Sequence, residues 1–101
     1  MAYDVTFTEP AEWDKDQIVS YLLVTLGNRG AAARFLTALD NVVGNLSRTQ
    51  QMYPCATEGR ALQEGYRKAG FLSYVLLYRF DGRSVEIARI FHARQDYARL
   101  L

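Results

Sequence analysis

Residues 72–96, LSYVLLYRFDGRSVEIARIFHARQD, decide the fold. Two runs rich in branched and aromatic residues flank Asp81-Gly82, a pair that reverses a chain at low cost because both positions tolerate positive φ. A two-residue turn there pairs Phe80 with Arg83, Tyr78 with Val85, Leu76 with Ile87, Tyr74 with Arg89 and Leu72 with Phe91. By the two-residue strand period all of these share one face, which is almost wholly apolar or aromatic. The other face carries Ser73, Val75, Leu77 and Arg79 against Ile90, Ala88, Glu86 and Ser84, with His92 next in the series. The hairpin is therefore expected to bury its first face and leave the second, mixed face open.

The cover for the first face lies upstream. Tyr3 to Thr8 alternates Tyr3, Val5 and Phe7 with polar partners, a short amphipathic strand. Pro10 suits a first helical turn, Thr8 suits the N-cap, and acidic residues come after it. A first helix to about Leu26 places Ala11, Ile18, Tyr21, Leu22 and Leu26 on one face and ends at Gly27-Asn28. A second, from about Gly30, repeats Phe35, Leu39, Val42, Val43 and Leu46 at the helical period. So short a link makes the two an antiparallel hairpin. Ser47 to Arg60 (SRTQQMYPCATEGR) loses periodicity around Pro54 and Gly59, a loop placed to form the rim of a site. Leu62 to Lys68 reads as a further strand, with Gly70 in the turn before Leu72. DYARLL, from Asp96, makes one helical turn or a tail. The order is β-α-α-β-β-β, an α+β domain over residues 1–101 with a helical hairpin packed on one face of a small, mostly antiparallel sheet.

Composition narrows the class of protein. The chain has 101 residues, half of them apolar and only 2 prolines, which suits one small globular domain and disfavours disorder. The single cysteine, Cys55, excludes an internal disulfide, has no metal-ligand spacing around it, and fits a reducing compartment. MAYDVTFTEP lacks a basic segment followed by an apolar one, and no apolar run is long enough to span a bilayer. A cytoplasmic protein with no membrane partner, metal or cofactor is expected. Net charge is +1, yet residues 1–55 carry four basic against six acidic side chains, and residues 56–101 carry eight against five. The basic half suits an acidic partner or nucleic acid.

The element order, with VTFTEPAEWD at the start, YVLLYRFDG in the hairpin and IARIFHARQD at the close, resembles the RelE/ParE superfamily of toxins from bacterial type II toxin–antitoxin systems. The resemblance covers almost the whole chain. It implies a growth inhibitor neutralised by a cognate antitoxin, whose segment folds against this domain in a toxin–antitoxin hetero-oligomer. It also implies one of two targets. The ParE-like branch poisons DNA gyrase through a binding surface, and the Tyr78-Arg79 arm and the His92-Ala93-Arg94 closure match it. The RelE-like branch cleaves mRNA on the ribosome without a metal. Arg67 and Lys68 fall on the strand where that branch places basic residues, His92 falls where some members keep a catalytic histidine, and Glu58 or Glu64 corresponds to an acidic base. Where such nucleases commonly carry an arginine in the first hairpin arm, this chain has Val75, so a stabiliser of phosphorane charge is missing. The gyrase reading is favoured for that reason. A degenerate, non-toxic binding or regulatory protein is a third reading of the same substitution.

The candidate catalytic residues are His92, Arg94 and Arg79. Arg60, Arg67, Lys68 and Tyr97 are the candidate substrate- or partner-binding residues. Each has a plainer alternative. Histidine as a residue type suits general acid catalysis, so His92 is a candidate general acid, or else is a strand-end histidine bonded to backbone. Arg79 and Arg94 offer planar forks for phosphate or carboxylate, or else are solvated. Arg89, expected beside Tyr74 on the covered face, is better explained by a cation–π contact or an ion pair to a helix. Arg67 and Lys68 are adjacent, so a strand points only one of them towards a site. Tyr97 stacks on a base or anchors the C-terminus. Trp13 and Tyr21 are expected in the core, while the exposed side of the first helix is available to an antitoxin.

Overall fold

The computed structural model describes residues 3–49, 53 and 65–94. In chain order they form β1 (Asp4–Phe7), α1 (Glu9–Ser20), a π-helical turn (Tyr21–Thr25), α2 (Arg29–Arg48), β2 (Arg67–Phe71), β3 (Tyr74–Phe80) and β4 (Ser84–His92). The β-α-α-β-β-β order and the α+β class are as expected. The sheet order is β1-β4-β3-β2, with β1 parallel to β4 and the other pairs antiparallel. Cys55, Glu58, Arg60, Leu62 to Glu64 and the segment with Asp96 and Tyr97 lie outside the described residues. Among the described residues no helix is long and apolar enough to cross a membrane.

The helices start where their caps dictate. Thr8 Oγ1 accepts from the Ala11 amide at 3.2 Å, and Asn28 Oδ1 accepts from the Ala31 amide at 3.0 Å. Along α2 the stripe Ala32, Phe35, Leu39, Val42 and Leu46 is buried, while Val43 packs at its side. Fully burying Phe35 and Leu46 contributes about 2–3 kcal/mol each to holding α2 on the sheet. The ring of Phe35 meets Phe71 at 5.8 Å and Tyr74 at 4.9 Å. α1 is shorter than its apolar spacing predicts. At Tyr21 the helix widens, and the Leu26 amide donates to the Tyr21 carbonyl five residues back. The wider turn rotates the chain beyond Ser20, so Leu22 stays buried while Tyr21 and Leu26 are exposed, contrary to expectation. Trp13 is also exposed, at 61%.

β2 begins later than expected, at Arg67, and Gly70 lies inside it. Ala69 and Phe71 alternate into the core beneath α2, which fixes the strand, and Leu72-Ser73 makes the turn. The β3–β4 turn is also one residue late. The Asp81 amide donates to the Ser84 carbonyl at 3.1 Å, making Gly82 and Arg83 the central pair. Gly82 supplies the positive φ of 98°, and the Asp81 carboxylate accepts from the amides of Arg83 (2.9 Å) and Ser84 (2.8 Å). Phe80 therefore opposes Val85, not Arg83. A shift of two keeps every side chain on its expected face.

The next irregularity does not. Tyr78 opposes Ile87, but Leu77 opposes Arg89, so Ala88 is an extra residue in β4, a β-bulge. Beyond it the faces exchange. Ile90 and His92 turn to the helix-covered side, opposite Leu76 and Tyr74, while Phe91 turns to the other side, opposite Val75. The second face is consequently not open. Tyr66, Leu77, Ala88 and Phe91 form their own buried cluster there, with Leu77 fully buried.

Candidate functional site

β1 stops at Phe7, opposite Ile87, so among the described residues no strand lies beside the edge of β4 beyond that point. Side chains from the start of α1 take over. Thr8 donates its amide to the Ile87 carbonyl (3.0 Å) and its hydroxyl to the Ala88 carbonyl (2.9 Å). Asp14, 6% exposed, accepts from the Ile90 amide at 3.0 Å and from Nε and Nη2 of Arg89 at 2.8 and 3.0 Å. Arg89 thus makes the expected ion pair to a helix, but it opposes Leu77 and not Tyr74. Its guanidinium carbon lies 4.9 Å from the Phe91 ring centre. The hydrogen bonds to the Asp14 carboxylate raise the Arg89 pKa above its ordinary value.

Above this clasp the surface opens into a cleft of about 640 Å³ between α1 and the ends of β3 and β4. Trp13, Gln17 and Tyr21, four residues apart, line the helical wall. Tyr74 and His92 line the strand wall, edge to face with ring centres 5.6 Å apart. Burial raises the Tyr74 hydroxyl above the usual tyrosine range, and the neighbouring Tyr21 hydroxyl adds to the shift. Arg94 is exposed at the mouth, and its amide donates to His92 Nδ1 at 3.2 Å.

His92 and Arg94 therefore share one place, as the HARQD closure suggested, but the Ala88 bulge sets His92 on the helix side of the sheet, not on the mixed face with Arg79. Arg79 sits near the opposite end of β3, five positions from Tyr74. There it stacks 4.7 Å from the Tyr66 ring centre and reaches Glu86 at 3.5 Å. Arg67 lies on the helix side and donates to the Tyr53 carbonyl at 2.7 Å, while Lys68 opposes Leu77 on the other face. The structure thus brings His92 and Arg94 together and places Arg79, Arg67 and Lys68 elsewhere, while Arg60 and Tyr97 lie outside the described residues. It adds Asp14, Trp13, Tyr21 and Tyr74. Asp14 had a signal, because it is the acid on the Ala11–Ile18–Leu22 stripe of α1, where a carboxylate must find partners. Trp13 and Tyr21 fall on the neighbouring stripe with Gln17.

A family model described as the ParE toxin of the type II toxin–antitoxin system parDE matches residues 5–97. The chain belongs to the ParE toxin family. Among solved structures, this ParE-family fold is similar to a chain of the chromosomal ParDE toxin–antitoxin system from P. aeruginosa. That likeness has a TM-score of 0.70 at 20% identity and covers 90% of this chain and 96% of the other. It is also similar to a chain of the toxin–antitoxin complex RelBE2 from Mycobacterium tuberculosis, with a TM-score of 0.62 at 24% identity, covering 91% and 92%. No curated protein matches. Both structural likenesses speak to the fold, which the ParE-family chain shares with a chain of each system.

Proposed function

We propose that this chain inhibits growth by binding DNA gyrase and is neutralised by an antitoxin segment laid on its exposed apolar helical surface. The dispersal of the basic candidates among the described residues carries the first half. A ribonuclease that needs no metal requires its acid, base and charge-stabilising groups around one scissile phosphate, within about 3 Å of the reacting atoms. Here Arg79 stands roughly 16 Å along the strand from the level of His92, by the rise per residue, and is engaged by Glu86 and Tyr66. Arg67 is held on the opposite face from Lys68. Groups so arranged suit a docking surface better than a catalytic centre. The second half rests on Tyr21, Leu23, Val24 and Leu26, exposed at 54, 43, 79 and 54%. Such a contiguous apolar stretch is what a segment that orders on binding covers. Family membership and the toxin–antitoxin complexes among the structural relatives support the same reading.

The experiment is paired. The purified chain is added to a gyrase supercoiling and cleavage assay, and separately to ribosomes programmed with mRNA. Gyrase inhibition with intact transcripts is the expected result. Codon-positioned cleavage of mRNA, lost on His92→Ala or Arg94→Ala, would overturn it.

A further inference from the structure

We propose that the cleft between α1 and the end of β4 binds a nucleoside monophosphate, its phosphate on Arg89 and Arg94 and its base against Trp13 and Tyr21. A guanidinium has five N–H donors, and Arg89 directs two of them, one from Nε and one from Nη2, to Asp14. The other three have no protein acceptor among the described residues, although the side chain lines the cleft and is 26% exposed. Asp14 on one side and the Phe91 ring on the other fix the fork, so its orientation is set before any ligand arrives. Arg94 brings a second exposed cation to the same mouth, tied to the strand end through its amide on His92. With the Asp14 charge matched by Arg89, the cleft keeps a net positive charge and the donor geometry that phosphate takes up.

The walls call for a flat, weakly solvated body. Trp13 leaves 61% of its surface in solvent and Tyr21 leaves 54%, while Tyr74 and His92 face them across the cleft. A base between such rings, with a phosphate at the arginines, fills both requirements. Free phosphate leaves the rings wet, and a neutral aromatic ligand leaves the arginine donors unused. A space of about 640 Å³ is within the range of small-ligand sites.

Trp13 is the only tryptophan of the chain, so its fluorescence reports on this wall alone. The full-length protein is titrated with AMP, adenosine and inorganic phosphate. The expected result is a saturable change with AMP, with adenosine and phosphate each weaker by about tenfold or more, and a similar loss of AMP affinity in Arg94→Ala. Arg94 is exposed and its bond to His92 runs through its backbone, so the variant keeps its fold, which circular dichroism verifies. Absence of a saturable change up to about 10 mM AMP would overturn the proposal. So would equal affinity for AMP and adenosine, or an Arg94→Ala variant that binds AMP as the parent does.

Discussion

The carboxylate of Asp14 holds Arg89 through two nitrogens while taking the amide of Ile90 in the next position of β4. One helical side chain thus replaces the strand that β1 does not extend, and it does so immediately after the Ala88 bulge. Asp14→Ala leaves a partly buried guanidinium unpaired and an interior amide without an acceptor. Breaking a buried pair costs about 3–5 kcal/mol, and the partial exposure of Arg89 lowers the expected loss to about 2–3 kcal/mol. Asp14→Asn keeps an oxygen for Ile90 and should lose about half as much. Urea unfolding of the three proteins checks the order.

Asp81 makes the β3–β4 turn sensitive to acid. The Ser84 amide, then that of Arg83, hold its carboxyl below the ordinary 3.8. Because the folded value is the lower one, this contribution is complete above the unfolded value and is lost as pH falls through the folded one. Hydrogen exchange at the Ser84 amide should accelerate as pH drops below about 4, beyond the intrinsic trend, and the extra acceleration should be absent in Asp81→Ala.

Leu72 turns β2 into β3 with a φ of 52°, the one described non-glycine residue in the left-handed region, and its side chain is 64% exposed. Leucine there carries backbone strain and recovers little by burial. Leu72→Gly should stabilise the protein by about 0.5–1 kcal/mol, less than the full strain because glycine also loosens the unfolded chain. The urea midpoint should rise without a change in slope.

Arg79 touches both Glu86 and Tyr66, and the two contacts differ in weight. The ion pair is 3.5 Å long with both side chains nearly half exposed, so Glu86→Ala should change stability by less than about 0.5 kcal/mol. Removing Arg79 also uncovers the ring of Tyr66, now 6% exposed, and should cost about 1 kcal/mol. Thermal unfolding of both variants separates the contributions.

The element order, the cap at Thr8 and the buried face of α2 were legible because local chemistry decides them, whereas Asn28, read as the end of the first helix, proved to be the cap of the second. The approximate place of the β3–β4 turn was legible too. Its last residue of register was not, since Asp81 serves better as a side-chain acceptor before the turn than as a central residue with positive φ. The bulge left a trace. Val85 and Ile87 are apolar at odd positions and Ile90 at an even one, so the alternation changes phase around Ala88. That trace is open to several readings until Thr8 and Asp14 are placed beside β4, which is a tertiary fact. The exposure of Trp13 and Tyr21 was hidden for a similar reason: the π-helical turn and the buried Asp14 set which stripe of α1 faces inward. The candidate cleft was therefore half visible, with His92 and Arg94 evident at the close of β4 and just beyond it, and the opposite wall missing.

The parallel pairing of β1 with β4 joins residues about 80 positions apart, as between Thr8 and Ala88. Closing so long a loop costs roughly 4 kcal/mol in chain entropy, while the helical hairpin and the β2–β3–β4 meander each form from near neighbours. The β1–β4 union is thus the contact with the largest entropic cost of closure, and it joins two units held by local contacts. The wall of Trp13 and Tyr21 meets the wall of Tyr74 and His92 only through that union. A chain still being synthesised, with β4 not yet made, holds neither the clasp nor the cleft, so activity that depends on them begins only once β4 has emerged.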